Sequence, residues 1–255
     1  MRYSIQLSYN GADFCGWQVQ PDAPSVQETL SHALSLLLRE TVSVTGAGRT
    51  DSKVNAVGYI GHFDTSGSID AEKTACKLNA MLPPSIVVHS ISEAGEDFHA
   101  RFGATKRSYC YFLHRRKDPF MGSFSYFCTF RLDVDAMNRA AALMLGTHDF
   151  SCFEKTGADN KTSVCTVTEA VWESYTPSHV SQMGFPCEEG DYLVFRISAD
   201  RFLRNMVRAT VGSLIDVGRG KRDISYFQQL IEGGSRSDAG ESVPGNALFL
   251  SEVKY

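Results

Sequence analysis

Several features by which small secreted domains, metalloproteins and membrane proteins are recognised are missing from this sequence. Its seven cysteines (Cys15, Cys76, Cys110, Cys128, Cys152, Cys165 and Cys187) are odd in number and scattered, and no C-x-x-C pair occurs. That argues against a disulfide framework and a cysteine zinc site, and for reduced thiols. The seven histidines form no H-x-x-x-H, so a metal centre is not expected. No apolar run is long enough to span a bilayer. The chain runs at once into an alternating strand pattern with no apolar leader, as expected of a soluble cytoplasmic protein. A net basic charge is lacking too: 25 Lys and Arg against 29 Asp and Glu give −4, unlike a general nucleic-acid binder. What remains is an ordinary globular composition, 43% hydrophobic and 21% charged over 255 residues. A chain of that length buries roughly three-quarters of its unfolded surface and needs no staple.

Alternation and helical spacing then divide the chain. Tyr3, Ile5, Leu7 and Tyr9 alternate as one strand face, and Asn10-Gly11 turns the chain. Ser25-Val-Gln-Glu28 has capping-box spacing, and Val26, Leu30, Leu34, Leu37 and Leu38 share a helical face. Residues 41–45 alternate as a half-buried strand, 57–63 form another, 71–82 a helix stopped by Pro83-Pro84, and 86–91 a short strand. A linker at 92–97 closes a first half, residues 1–97; residues 98–255 form the second. There, 104–113 read as a strand and 134–145 as a helix ended by Gly146. A polar loop covers 154–163, and strands at 164–175 and 192–198 flank a loop at 176–190. Met206, Val207, Val211, Leu214 and Val217 make an apolar helical stripe, followed by a helix at 226–231 and a strand from 247. Positive charge is clustered, at Lys106-Arg107, at Arg115-Arg116-Lys117, and from Arg201 to Arg222. Such clusters can follow a phosphate backbone even on an acidic protein.

The chemistry concentrates in residues 46–65, GAGRTDSKVNAVGYIGHFDT. Gly46 and Gly48 break the preceding strand, Arg49, Thr50 and Asp51 follow at once, and a second strand leads away. A carboxylate on a loop between strands is held by a rigid frame and open to a ligand. GRTD followed by a strand ending in HF resembles the catalytic motif of the tRNA pseudouridine synthase A family. Further matches run the length of the chain. Residues 13–18, DFCGWQ, resemble the family's YDG…GWQ segment. Residues 98–111 resemble its ARF…K/R-x-Y-x-Y, and residues 146–153 its G-x-x-D-F-x-x-F. The string F-x-x-x-M-V-R-x-x-V-G-S-L from Phe202 resembles its main helix, and residues 247–255 its last strand.

The resemblance implies an α+β fold of two related α/β halves. They would share one extended, mainly antiparallel or mixed sheet, with helices on one side and a central active-site cleft. It implies a homodimeric isomerase that needs no cofactor or metal and converts uridines of tRNA to pseudouridine, in the anticodon stem-loop. Asp51 would be catalytic, Arg208 its basic partner, Tyr109 the tyrosine contacting the target nucleotide and Leu248 the pocket floor. Arg49 would support the flipped nucleotide or its phosphate.

Such a site must keep a carboxylate charged while nearly dry. Burial disfavours the charge and a contacting guanidinium restores it, which is the physical reason for an arginine there rather than a lysine. Two positions depart from the family's pattern: Lys53 stands where glycine is usual, and Asn55 where histidine is. A left-handed backbone at Lys53 costs about 1–2 kcal/mol, and Asn55 copies one hydrogen-bonding edge of an imidazole but does not titrate. These departures leave open an alternative, a non-catalytic RNA-binding or tRNA-folding protein that retains the fold.

Overall fold

A computed structural model describes residues 1–157 and 161–255. Part of the polar loop expected at 154–163, residues 158–160, lies outside the described residues. Among those described, the elements run in the order β1 (Arg2–Tyr9), α1 (Val26–Leu38), β2 (Thr45–Gly46), β3 (Asn55–Asp64), α2 (Ala71–Met81) and β4 (Ile86–Ala94). Next come β5 (Lys106–His114), β6 (Tyr126–Phe127), α3 (Val134–Ala142), β7 (Gly146–Asp149), β8 (Val164–Ser174), α4 (Ser178–Met183) and β9 (Tyr192–Ala199). The chain finishes with α5 (Met206–Gly218), α6 (Ile224–Gly233) and β10 (Leu248–Lys254). The class is α+β with parallel and antiparallel strand pairs, as expected. None of the described helices is long and apolar enough to cross a membrane.

Two compact units result: Met1–Arg107 with Phe249–Tyr255, and Ser108–Leu248. The sequence reading divides the chain at 97/98 and leaves the last strand in the second half. The compact units follow a different division: Phe249–Tyr255 lies with the first, where β10 runs parallel to β3 with Phe249 opposite Asn55 and Leu250 opposite Ala56.

In the first unit β1 is central. It pairs antiparallel with β3 on one side and β4 on the other, so Tyr3, Ile5, Leu7 and Tyr9 are all buried. The Ser25 hydroxyl caps α1 by accepting from the Glu28 amide, and Asp70 caps α2 by accepting from Lys73. α2 packs on β4 and against α1. The strand expected at 41–45 is not one until Thr45. Val42 and Val44 are buried as the alternation requires, but their amides donate to the Ser35 and Ser31 hydroxyls of α1. A helix therefore supplies the partners that a neighbouring strand would have supplied. The expected linker at 92–97 is shorter, since Ser92–Ala94 continue β4 along β1.

In the second unit the strand order is β5-β9-β8-β7, with β6 beside β5. α3 packs on β8, α5 and α6. The helix expected to reach 145 ends at Ala142, and a tightened turn carries the chain to Gly146 (Leu143, Met144 and Leu145 amides bond three residues back). The loop at 176–190 contains the short helix α4, which no periodicity announces. Phe150 and Phe153, read as packing residues, are fully buried. α5 is buried nearly all round; only Arg208 and Asp216 along it are half-exposed, so the expected stripe is part of a wholly enclosed helix.

Candidate active site

The loop carrying Arg49, Thr50 and Asp51 is short and tied down from several directions. Its approach is fixed by the Ala47 amide, which donates to the Ile60 carbonyl (2.8 Å). The Tyr59 hydroxyl donates to the Gly48 carbonyl. Tyr59 stacks on Trp17 with ring centroids 4.1 Å apart and meets Tyr9 edge-on at 5.5 Å. The Tyr9 hydroxyl shares a hydrogen bond with the Thr50 hydroxyl (2.8 Å), and the Thr50 carbonyl accepts from the Trp17 amide (3.3 Å). Trp17 is thus a core anchor that also holds the loop. Gly16, at φ +100°, passes so close that a Cβ there would lie 2.3 Å from the Thr50 carbonyl oxygen. Within this frame Thr50 is buried, Asp51 is half-buried and Arg49 is exposed.

Both departures from the family pattern take defined places in the same loop. Lys53 adopts φ +65°, the left-handed region that glycine favours. Its amide donates to the Phe14 carbonyl (3.2 Å), and the Val54 amide closes the turn on the Asp51 carbonyl (3.2 Å). Asn55 is buried, and its side-chain oxygen accepts from the Gly11 amide at 2.8 Å. It thereby joins the 10–17 turn to the foot of β3. His62, from the HF pair, is also buried; its Nδ1 accepts from the Ala100 amide (3.1 Å), which leaves the proton on Nε2. Burial, then the nearby Arg2, holds this imidazole below the ordinary histidine value.

Tyr109, Arg208 and Leu248 belong to the second unit. Tyr109 is half-buried on β5, and its ring meets Phe202 edge-on at 5.0 Å. Arg208 lies in the first turn of α5, which follows a left-handed Asn205. Its Nε donates to the Val243 carbonyl (2.7 Å), so the segment before β10 orients the guanidinium. That segment is itself secured: Tyr111 donates to the Pro244 carbonyl (3.1 Å) and Asn205 to the Ser242 hydroxyl (2.7 Å). Tyr111 is fully buried, and burial pushes its phenol well above the usual tyrosine range, so it remains a donor. Leu248 is 5% exposed at the start of β10. Among the described residues no group of three or more His, Cys, Asp or Glu is arranged to hold a metal.

Phe202 is the residue whose part the sequence reading missed: it is the first letter of the helix string, and nothing in the sequence says that its ring meets Tyr109. Asn55, read as copying one hydrogen-bonding edge of an imidazole, accepts one buried hydrogen bond.

The chain as a whole is similar to known proteins. The sequence model of a family described as tRNA pseudouridine synthase matches residues 6–103 and 140–255. A Parabacteroides distasonis protein named tRNA pseudouridine synthase A is 45% identical over all of this chain and 96% of its own. Proteins of the same name from Bacteroides thetaiotaomicron and Porphyromonas gingivalis are each 44% identical over all of this chain, covering 90% and 97% of their own lengths.

Proposed function

Since the chain belongs to the tRNA pseudouridine synthase family and so isomerises uridine of tRNA to pseudouridine, we propose that Asp51 is its catalytic carboxylate. The observation that supports this is the loop's construction. Tyr9, Trp17 and Tyr59 fasten the Gly48 and Thr50 backbone and the Thr50 hydroxyl around a half-buried Asp51. A carboxylate on such a frame is pre-positioned, which is how a site avoids reorganisation at the moment of reaction.

The reaction breaks the bond from N1 of uracil to C1′ of the ribose and forms one from C5 to C1′. The C5 proton is lost and N1 gains one, so there is no redox change and no net water. Asp51 acts as nucleophile or base in that exchange. Arg208, oriented by the Val243 carbonyl, is the basic partner of that carboxylate, a role that suits a guanidinium fork better than a lysine. The target base must leave its stack, at a few kcal/mol, and stacking on Tyr109 returns about 1–3 kcal/mol. Leu248 forms the pocket floor, and the exposed Arg49 supports the flipped nucleotide or its phosphate. The substrate uridines lie in the anticodon stem-loop, and the protein works in the cytoplasm as a homodimer.

The test is the release of tritium from C5-labelled uridine in tRNA. Asp51→Asn is expected to abolish it while leaving tRNA binding largely intact; normal turnover would remove Asp51 from this role. Arg208→Gln is expected to lower the rate by about 10²-fold or more, the scale of losing a fixed charge-stabilising donor. The non-catalytic alternative rests on Lys53 and Asn55, and both take defined places in the loop. Lys53 takes up the left-handed turn and Asn55 supplies a buried acceptor.

A further inference from the structure

Arg107 is the second residue of β5 and the last before the first unit gives way to the second. Its guanidinium donates to three backbone carbonyls in that first unit. Nη1 reaches Ala104 (2.8 Å), while Nη2 reaches Arg101 (2.6 Å) and Ala47 (3.1 Å). The first two lie in the turn around residues 99–104, which is firmly held. The Gly103 amide bonds the His99 carbonyl, His62 accepts from the Ala100 amide, and Tyr255 donates to the Ala100 carbonyl. The third carbonyl belongs to the loop of Asp51. Ala47 is buried between Gly46 and Gly48, four residues before the carboxylate.

The strand leading into that loop, β2, is only two residues long, so few ladder bonds fix the chain there. The Ala47 amide is held by Ile60 and its carbonyl by Arg107. Glycine on either side offers no steric restraint on the peptide planes. A planar guanidinium fork bound at three points supplies that restraint; a lysine ammonium, a single point on a flexible stem, would not.

We propose that Arg107 is a positioning residue of the isomerase. By gripping the Ala47 carbonyl it fixes the peptide plane at the root of the GRTD loop, and through it the place where Asp51 meets the target nucleotide. This rests on the reading of Asp51 as the catalytic carboxylate.

The experiment measures single-turnover rates with enzyme in excess over C5-labelled tRNA, because that rate constant does not scale with the fraction of protein that is active. The dissociation constant for tRNA and the melting temperature are measured beside it, for wild type, Arg107→Ala, Arg107→Lys and Asp51→Asn. Arg107→Ala is expected to lose roughly 10²-fold in rate, the effect of a displacement near 1 Å, with tRNA affinity close to wild type. Arg107→Lys is expected to fall between, about tenfold down. Wild-type rates in a folded Arg107 variant would overturn the proposal. So would a loss carried wholly by tRNA affinity, which would make Arg107 an RNA contact. Should the alanine variant not fold, the lysine variant decides alone. Activity in Asp51→Asn would bring down the underlying reading instead, and the two failures are told apart.

Discussion

At the scale of single residues, two replacements show how a loop keeps its shape when its letters change. Asn55 serves by geometry: a buried amide oxygen accepts from the Gly11 amide, a bond that an imidazole nitrogen can also accept. Asn55→Ala strands that buried amide and is expected to lower the unfolding free energy by about 1–3 kcal/mol; Asn55→His is expected to recover most of it. Chemical denaturation of the two variants checks both, and an alanine variant as stable as wild type would deny the bond its role. Lys53 carries the opposite signature, a lysine at φ +65°. Glycine there relieves about 1–2 kcal/mol of left-handed strain, offset by about 0.4–1 kcal/mol of added freedom in the unfolded chain. Lys53→Gly is therefore expected to be neutral to stabilising, by up to about 1.6 kcal/mol. A loss of stability would show that the lysine side chain contributes more than its backbone conformation costs.

At the scale of elements, α5 and the segment at 240–244 behave as one part. The Gly240 amide donates to the Ser213 hydroxyl, and a Cβ at Gly212 would lie 1.9 Å from the Glu241 carbonyl oxygen. Because this segment orients Arg208 through Val243, Gly212→Ala is expected to cost about 1–3 kcal/mol from overpacking. It should also lower turnover in the folded fraction; retained turnover would separate the helix packing from the chemistry. Periodicity made the helix legible, and the family string made Arg208 legible. The close approach was not, because a glycine within a helix reads only as a poor helix former until its neighbour is placed. Residues 41–45 teach the complementary lesson. Alternation correctly marked Val42 and Val44 as buried and wrongly suggested a strand ladder, because burial pattern does not say which groups satisfy the backbone.

At the scale of the whole molecule, buried titratable groups set the response to acid. Burial holds both His62 and His114 below the ordinary histidine value. The unfolded chain therefore takes up protons near pH 6.5 that the fold resists, and stability is expected to be level above that pH and to fall as pH drops through it. A second decline follows below about pH 4. The Asp64 carboxyl is held low by its hydrogen bond to Arg2. Burial opposes ionisation of Asp118, but bonds from Tyr192, the Phe120 amide and His179 outweigh it. Melting temperatures between pH 7.5 and 3.5 check this, and His114→Asn is expected to shallow the upper step. A melting temperature unchanged from pH 7.5 to 5 would contradict it.

The longer strands and helices were legible in alternation, helical spacing and capping residues, because these are local consequences of backbone geometry; the short β6, β7 and α4 were not. The family was fixed by short strings whose letters are constrained by chemistry. Only folding decided that the last strand pairs with β3, that the hydroxyls of α1 complete the backbone of residues 42–44, and that Arg107 grips the Ala47 carbonyl. Each of these joins residues far apart in the chain or unlike in type, and neither periodicity nor composition encodes such a meeting.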